Sequence, residues 1–365
     1  MKIVCDRNEL LKGVKIAGRA INSHTSLPIL KHLLFSVEAN KVKITSTDLE
    51  IIIECMINAT IDDSGQMVLP KGLLINALNG LPNSEITLAT NNDSDTPVVE
   101  LSCGSLNYSI NTLPVDEFPE TPKAESIASF EIDSMSLIEA LQRTLFATSW
   151  DETRVTLTGI FLEINKRGVR FVSTDGRRLS IQDCDFANSK GLCDCIVPGG
   201  TMGELARLAK QHDTICASIT NNYILFEANG VKLYSRLIDG KYPNYKNVIP
   251  RKQAKTITVL TKDLLYAVKQ AGVMALDQAI LLSSDGNTML VKAGNGKGVY
   301  SENIRIKYKG ENINMVFNAR YLTEALKAID TRVVTIGLTS DHQPISIHPH
   351  GDNSFLHVLM PMLLD

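Results

Sequence analysis

Three cysteines crowd one stretch of the chain, Cys184, Cys193 and Cys195, where a metal would find thiolate donors. A structural zinc site needs four donors, usually with a close C-x-x-C pair. No such pair exists here, and His212 is the nearest histidine. The seven cysteines of the chain therefore read as reduced, mostly buried thiols. Four histidines, His342, His348, His350 and His357, gather near the C-terminal end without a supporting carboxylate pattern, and half-exposed strand positions account for them. The glycine-rich run 293–298 could cradle a phosphate only if a helix began behind it. Residues 299–307 alternate like a strand instead, so a turn between strands is expected. No G-x-S-x-G elbow is present. These residues predict no catalytic centre, no metal and no cofactor.

The charges are more informative. The chain is slightly acidic, with a formal net charge of -3, which taken alone disfavours nucleic acid. Six segments with helical periodicity, 8–20, 71–79, 136–148, 201–210, 262–275 and 319–329, break that pattern. They carry Lys12, Lys15, Arg19, Lys71, Arg143, Arg207, Lys210, Lys262, Lys269, Arg320 and Lys327, against only Glu9, Glu139, Glu204, Asp263 and Glu324. Basic helices on an acidic body make an electrostatic footprint for phosphate if they share a face. The plainer alternative is a set of solvated helix faces.

The elements that would position these side chains recur at a long period. A short apolar strand (2–5, 129–132, 256–260) precedes each of the helices 8–20, 136–148 and 262–275. Each second helix follows a similar lead, Val68-Leu69-Pro70, Ile196-Val197-Pro198 or Val316-Phe317-Asn318. Two strands end in matching turns, Ser46-Thr47-Asp48 and Ser173-Thr174-Asp175. Leu10, Leu11, Val14 and Ala17 form one apolar helical stripe; Leu137, Ala140, Leu141 and Leu145, then Leu264, Leu265, Val268 and Ala271, form its counterparts. The period is about one domain long, which predicts an α+β chain of three similar domains, 1–122, 128–250 and 255–365. Each would pack two helices on antiparallel sheet. The polar, proline-bearing stretches 113–123 and 239–255 read as the linkers.

No apolar run approaches the roughly 18–20 residues of a membrane span. Lys2, Asp6, Arg7 and Glu9 interrupt the beginning of the chain where a secretory signal would be apolar, so a cytoplasmic location is expected. Residues 355–364 (FLHVLMPMLL) form a methionine-rich apolar strand and tail, with Pro361 limiting further pairing. Such a run should line a core or an adaptable docking groove.

The residues Leu27-Pro28-Ile29-Leu30, TSTDL at 45–49, Thr112-Leu113-Pro114 with Phe118-Pro119, and Arg154 ahead of Leu157-Thr158-Gly159 form an ordered series. It continues through STDGRRL at 173–179, IDGKYPN at 238–244 with Tyr245, and VLMPM at 358–362. In this order the chain resembles the bacterial sliding clamp family, the beta subunit of DNA polymerase III, over essentially its whole length. The resemblance implies three clamp domains per chain and a head-to-tail homodimer closed into a ring. Twelve helices on a circle, spaced about 9 Å apart, would leave a hole of roughly 25 Å as a lower estimate. It also implies a non-catalytic role: encircling double-stranded DNA without sequence preference and tethering the replicative polymerase, with a clamp loader and other peptide-bearing proteins as further partners.

Carried over position by position, the resemblance implies a partner-peptide groove of Leu157, Thr174, Gly176, Arg177, Arg178, Leu179, Pro243, Asn247, Val248, Tyr321, Val358, Met360, Pro361 and Met362. Apolar anchors there would take a leucine or phenylalanine of a short peptide, with backbone and arginine donors meeting its polar end. The eleven helix cations, with His24 and Trp150, would face DNA. Leu81 and Tyr108 of one protomer would meet Val273 and Met274 of the other. Several positions depart from the family's habit: Leu363, Leu364 and Asp365 at the end, Asn247 and His24 where arginine is frequent, and Gly199-Gly200 where a basic pair is frequent. The rival readings are a peptide-binding adaptor that no longer encircles DNA, and an enzyme built on the cysteines or histidines.

Overall fold

The structure is a computed structural model that describes residues 1–22, 24–38, 41–91, 98–122, 125–185, 188–250 and 255–362. Leu363, Leu364 and Asp365, and parts of both expected linkers, lie outside the described residues. Six α-helices fall where the periodicity places them: α1 (Arg7–Ala17), α2 (Lys71–Gly80), α3 (Ser134–Thr144), α4 (Gly199–Ala209), α5 (Thr261–Met274) and α6 (Ala319–Lys327). Helices α1 and α6 start on side-chain caps. The Asp6 carboxylate accepts from the backbone N–H groups of Asn8 and Glu9 at 2.9 and 3.0 Å, and Asn318 accepts from that of Tyr321 at 3.1 Å. Helices α1 and α3 each run on into a short 3-10 turn, Gly18–Ala20 and Leu145–Ala147, so the sequence pattern reads longer than the α-helix itself.

Every strand pairing among the described residues is antiparallel. The chain forms two compact units: residues 1–134 with 188–191 and 207–237, and residues 135–187 with 192–206 and 238–365. The first unit holds a five-stranded sheet that begins and ends in Thr60–Asp63 and Leu106–Asn111, and a nine-stranded sheet. In the nine-stranded sheet, Ile51–Ile57 of the first repeat pairs with Val231–Arg236 of the second, Ile53 opposite Leu233. The second unit holds a twelve-stranded sheet in which Arg178–Asp185 of the second repeat pairs with Phe355–Leu359 of the third, Leu179 opposite Val358. The second repeat thus contributes strands to both units, because its edge strands continue the ladders of both neighbours.

The larger core of the second unit gathers α5 and α6 on this sheet. Leu264, Val268 and Leu322 are fully buried beside Ile280, Phe317 and Val334. Burial of each such side chain stabilises the fold by about 1.5–3 kcal/mol. A smaller cluster, Leu157, Val172, Leu179, Ile181, Ile196, Tyr242, Tyr245 and Val358, stands apart from it. This second cluster is the floor of the groove described next.

Candidate functional site

In the second unit, one wall of an apolar groove is a turn between two strands. Gly168–Thr174 and Arg178–Asp185 are joined by Asp175, Gly176 and Arg177. The Asp175 carboxylate accepts from the N–H groups of Arg177 and Arg178 at 2.9 and 3.1 Å, and the Thr174 hydroxyl accepts from Gly176 at 3.0 Å. Gly176 takes a φ of +89°, where a side chain would be strained. The opposite wall is the 243–248 segment, and the strand Phe355–Leu359 continues into Met360, whose N–H donates to Arg177 at 3.0 Å.

These elements bring Leu157, Thr174, Gly176, Arg177, Arg178, Leu179, Pro243, Val248, Val358 and Met360 around one cavity of about 170 Å³. Val248 and Met360 remain 49 % and 43 % exposed, so large apolar side chains flank the opening. Asn244 and Tyr245 line the same cavity. The sequence reading did not place them there, although both stand in the 238–245 motif it had singled out.

Four expected groove residues do not line this cavity. Asn247 is exposed on the short Tyr245–Asn247 turn and does not line the cavity. Tyr321 lies on α6, its ring 4.3 Å from the Arg178 guanidinium. Pro361 and Met362 are half-buried beyond the cavity, and the Met362 N–H donates to Val316 at 2.7 Å. Arg178 lines the cavity with each of its three guanidinium nitrogens already bonded within the fold. Its side chain is only 2 % exposed and donates to Asp175 at 3.0 Å, to Glu324 and to the carbonyl of Phe146. Arg177 is exposed at the rim.

The floor is stiffened by polar ties behind it. The Tyr242 ring stacks on Phe161 at 4.8 Å with 6° between planes. Tyr245 donates its hydroxyl to Glu163, which also receives Lys246 at 2.6 Å. Burial alone would raise the Glu163 carboxyl, but the hydrogen bonds from Lys246 and Tyr245 hold it below its usual range. Burial, then the hydrogen bond to Glu163, pushes the Tyr245 phenol upward, so Tyr245 stays a neutral donor. On the far face of the strand, His357 is fully buried and hydrogen-bonds Ser180 through Nδ1 at 2.7 Å.

The helix cations divide into two kinds. In the first unit Lys12, Lys15, His24, Arg207 and Lys210 are exposed, while Arg19 is half-buried. Lys71 is also half-buried; its ammonium donates to the Gly18 carbonyl at 2.6 Å, capping the end of the α1 segment, and burial lowers its pKa. In the second unit Lys262, Lys269, Arg320 and Lys327 are exposed, and Trp150 is 90 % exposed. Arg143 is a correction. It is 3 % exposed and meets Gln182 at 3.0 Å, Ala328 at 3.3 Å, Glu139 at 2.7 Å, Asp330 at 3.3 Å and Asp352 at 3.5 Å. Its guanidinium also lies 5.2 Å from the centre of the Phe355 ring. It ties α3 to the end of α6 and has nothing left for a phosphate.

Of the expected seam residues, Tyr108, Val273 and Met274 are exposed, at 37 %, 73 % and 37 %. Leu81 is 4 % exposed and packs inside its own unit, so its side chain is not a surface contributor. Beyond α5, Leu276 and Val299 add to the exposed apolar surface of the second unit.

Among the described residues no group of three His, Cys, Asp or Glu side chains could hold a metal, and all seven cysteines are unpaired by disulfide. The glycine-rich run 293–298 is the connection between the strands Thr288–Gly294 and Val299–Tyr308, as the alternation predicted. The missing basic pair at 199–200 has a physical side: a Cβ on Gly199 would lie 2.8 Å from the Thr158 carbonyl, whereas Gly200 faces open space.

Three family models match in succession: the N-terminal, central and C-terminal domains of the DNA polymerase III beta subunit, over residues 1–122, 131–244 and 246–363. Among curated relatives, a beta sliding clamp of Synechococcus elongatus is 34% identical, with 100% of both chains covered. That of Bacillus subtilis is 26% identical over 99% of each. The solved DNA polymerase III subunit beta of Pseudomonas aeruginosa superposes with a TM-score of 0.95 at 26% identity, covering 100% of both chains. A sliding clamp of Bartonella birtlesii bound to griselimycin superposes at 0.92 and 26% identity, again over 100% of both.

Proposed function

The chain belongs to the beta sliding clamp family, that of the DNA polymerase III beta subunit, and from that premise we propose which of its residues carry the clamp's work. The function is that of a non-catalytic DNA sliding clamp for processive replication. It acts on double-stranded DNA and serves the replicative polymerase and other proteins that carry clamp-binding peptides. No helix among the described residues is long and apolar enough to cross a membrane, and the clamp works in the cytoplasm.

The groove is the partner-binding site, and the observation that carries this is its construction. Pro243, Val248, Val358 and Met360 present an apolar cleft over its own small core, with a rigid turn on one side and Arg177 at the rim. Such a cleft suits a leucine or phenylalanine anchor flanked by polar peptide backbone. Exposed Lys12, Lys15, Lys210, Lys262, Lys269 and Lys327 supply weak, mobile attraction to phosphate. Weak contacts suffice because a closed ring cannot leave the duplex sideways. Three domains, 1–122, 128–250 and 255–365, pair head to tail in a dimer through Tyr108, Val273 and Met274. The test is retention on circular and linearised duplex after loading by an active clamp loader with ATP. Long retention on circles with rapid loss from linear ends is expected. Equal retention on both would refute the topological mechanism, and rapid loss from both would favour the adaptor.

A further inference from the structure

The groove's turn has a counterpart between the matching strands of each of the other two repeats, and neither counterpart carries an arginine where the second repeat has Arg178. In the first repeat the Asp48 carboxylate accepts from Glu50 and Ile51 at 3.0 and 2.7 Å, with the Asp48 N–H donating to Ile51 at 3.2 Å. In the third, Asn295 accepts from Lys297 at 3.1 Å and donates to Gly298 at 3.2 Å. In the second, Asp175 plays this part, and the position of Ile51 and Gly298 is taken by Arg178. The turn therefore forms without an arginine, and the arginine must serve something other than the local fold.

Its contacts say what. One nitrogen of Arg178 holds the second oxygen of Asp175 at 3.0 Å, so the side chain grips the turn itself. The others reach Glu324 of α6 and the Phe146 carbonyl just beyond α3, with the guanidinium 4.3 Å from the Tyr321 ring and 5.3 Å from that of Phe146. A planar fork held at each of its three nitrogens fixes direction as well as distance. On the exposed side, Arg154 holds the Asp175 carbonyl at 2.9 Å. We infer that Arg178 is a positioning residue for the groove: it anchors the 174–178 wall to α6 of the third repeat, so that the shape of the peptide site is set by two repeats together. The inference rests on the reading of this cleft as the peptide groove.

Arg178→Lys keeps the charge and loses the fork; Glu324→Gln removes one anchor and leaves the turn's own hydrogen bonds in place. Two measurements decide the matter. Amide hydrogen exchange over residues 174–178 is compared with the arginine-free turn at 47–51 as an internal reference. Anisotropy gives the affinity of a fluorescein-labelled short peptide with leucine and phenylalanine anchors. Both variants should speed exchange at 174–178 several-fold, leave 47–51 unchanged, and weaken the peptide roughly tenfold, the loss expected for one charge-assisted hydrogen bond. Unchanged exchange, or weaker binding without faster exchange, would overturn the inference; the second result would mean that Arg178 touches the peptide directly. Faster exchange throughout 135–187 would also overturn it, by making the role merely structural. If the unaltered protein binds no such peptide, the groove reading fails, while the exchange comparison still decides whether Arg178 holds the turn.

Discussion

His357 offers a sharp test of the packing behind the groove. Its strand lies inside the twelve-stranded sheet, and the ring is fully buried. Nδ1 meets the Ser180 hydroxyl at 2.7 Å, Phe146 lies 5.6 Å away between ring centres, and Nε2 has no partner among the described residues. Burial first, and the nearby Arg178 charge second, push its pKa down to about 3. An unfolded chain titrates this group near 6.5, at about the free-histidine value. Between those two values the unfolded state binds a proton that the native state refuses, so stability rises with pH. Lowering the pH from above 6.5 to 5 should then cost about 2 kcal/mol through this one side chain. The assay is urea unfolding at pH 7, 6 and 5 for the unaltered chain and for His357→Gln. The other titrating groups are common to both, so the difference in slope isolates His357. The variant should lose about 2 kcal/mol less between pH 7 and 5. Ring NMR should show no titration of His357 between pH 7 and 5. Equal slopes, or a His357 midpoint near 6.5, would refute the argument.

Other expectations follow from the same reading. Arg143→Met should lower stability by roughly 2–3 kcal/mol, since the hydrogen bonds to Gln182 and Ala328 are lost while the partner carboxylates can still reach water. The salt dependence of DNA binding should not change, and a reduced slope without destabilisation would restore Arg143 as a phosphate contact. Lys12→Glu with Lys15→Glu should weaken retention on circular duplex and flatten its salt dependence, with stability altered by no more than about 0.5 kcal/mol, as a denaturation midpoint would reveal. Gly200→Lys should fold normally and strengthen DNA binding, because its Cβ meets nothing within 4 Å. Gly199→Lys should destabilise, because its Cβ would press on the Thr158 carbonyl at 2.8 Å; equal stability of the two variants would contradict the structure.

Much of the architecture is legible along the chain because it rests on short-range rules. The apolar stripe of Leu10, Leu11 and Val14 with Asp6 ahead of it is enough to start and face α1. The repeat of such strand–helix units fixes the class, and the alternation after the glycine-rich run excludes a phosphate loop. Most of the groove's lining could be named as well, because the STDGRRL, IDGKYPN and VLMPM motifs were recognisable by resemblance. Tyr245 was visible in that motif but missed as a lining residue: its place depends on the 243–248 segment folding over Leu157 and Leu179, which no local pattern states.

Charge was the poorest guide. Arg143, Arg178 and Lys71 resemble any other basic residue near a helix or turn, yet all three are committed to acceptors inside their own units. Arg143 finds Ala328 and Asp330 more than 180 residues away along the chain, and Arg178 finds Glu324 at a separation of 146. Leu81 is likewise an ordinary apolar residue until the fold buries it. The sequence by itself determined the helices, the threefold repeat, the absence of a catalytic motif and the family. Only the tertiary structure decided which cations are free for phosphate, which hold the fold, and how the third repeat builds one side of the groove. The reason is physical: periodicity and capping act within a few residues, whereas burial and hydrogen-bond satisfaction depend on whatever distant chain the sheets bring alongside.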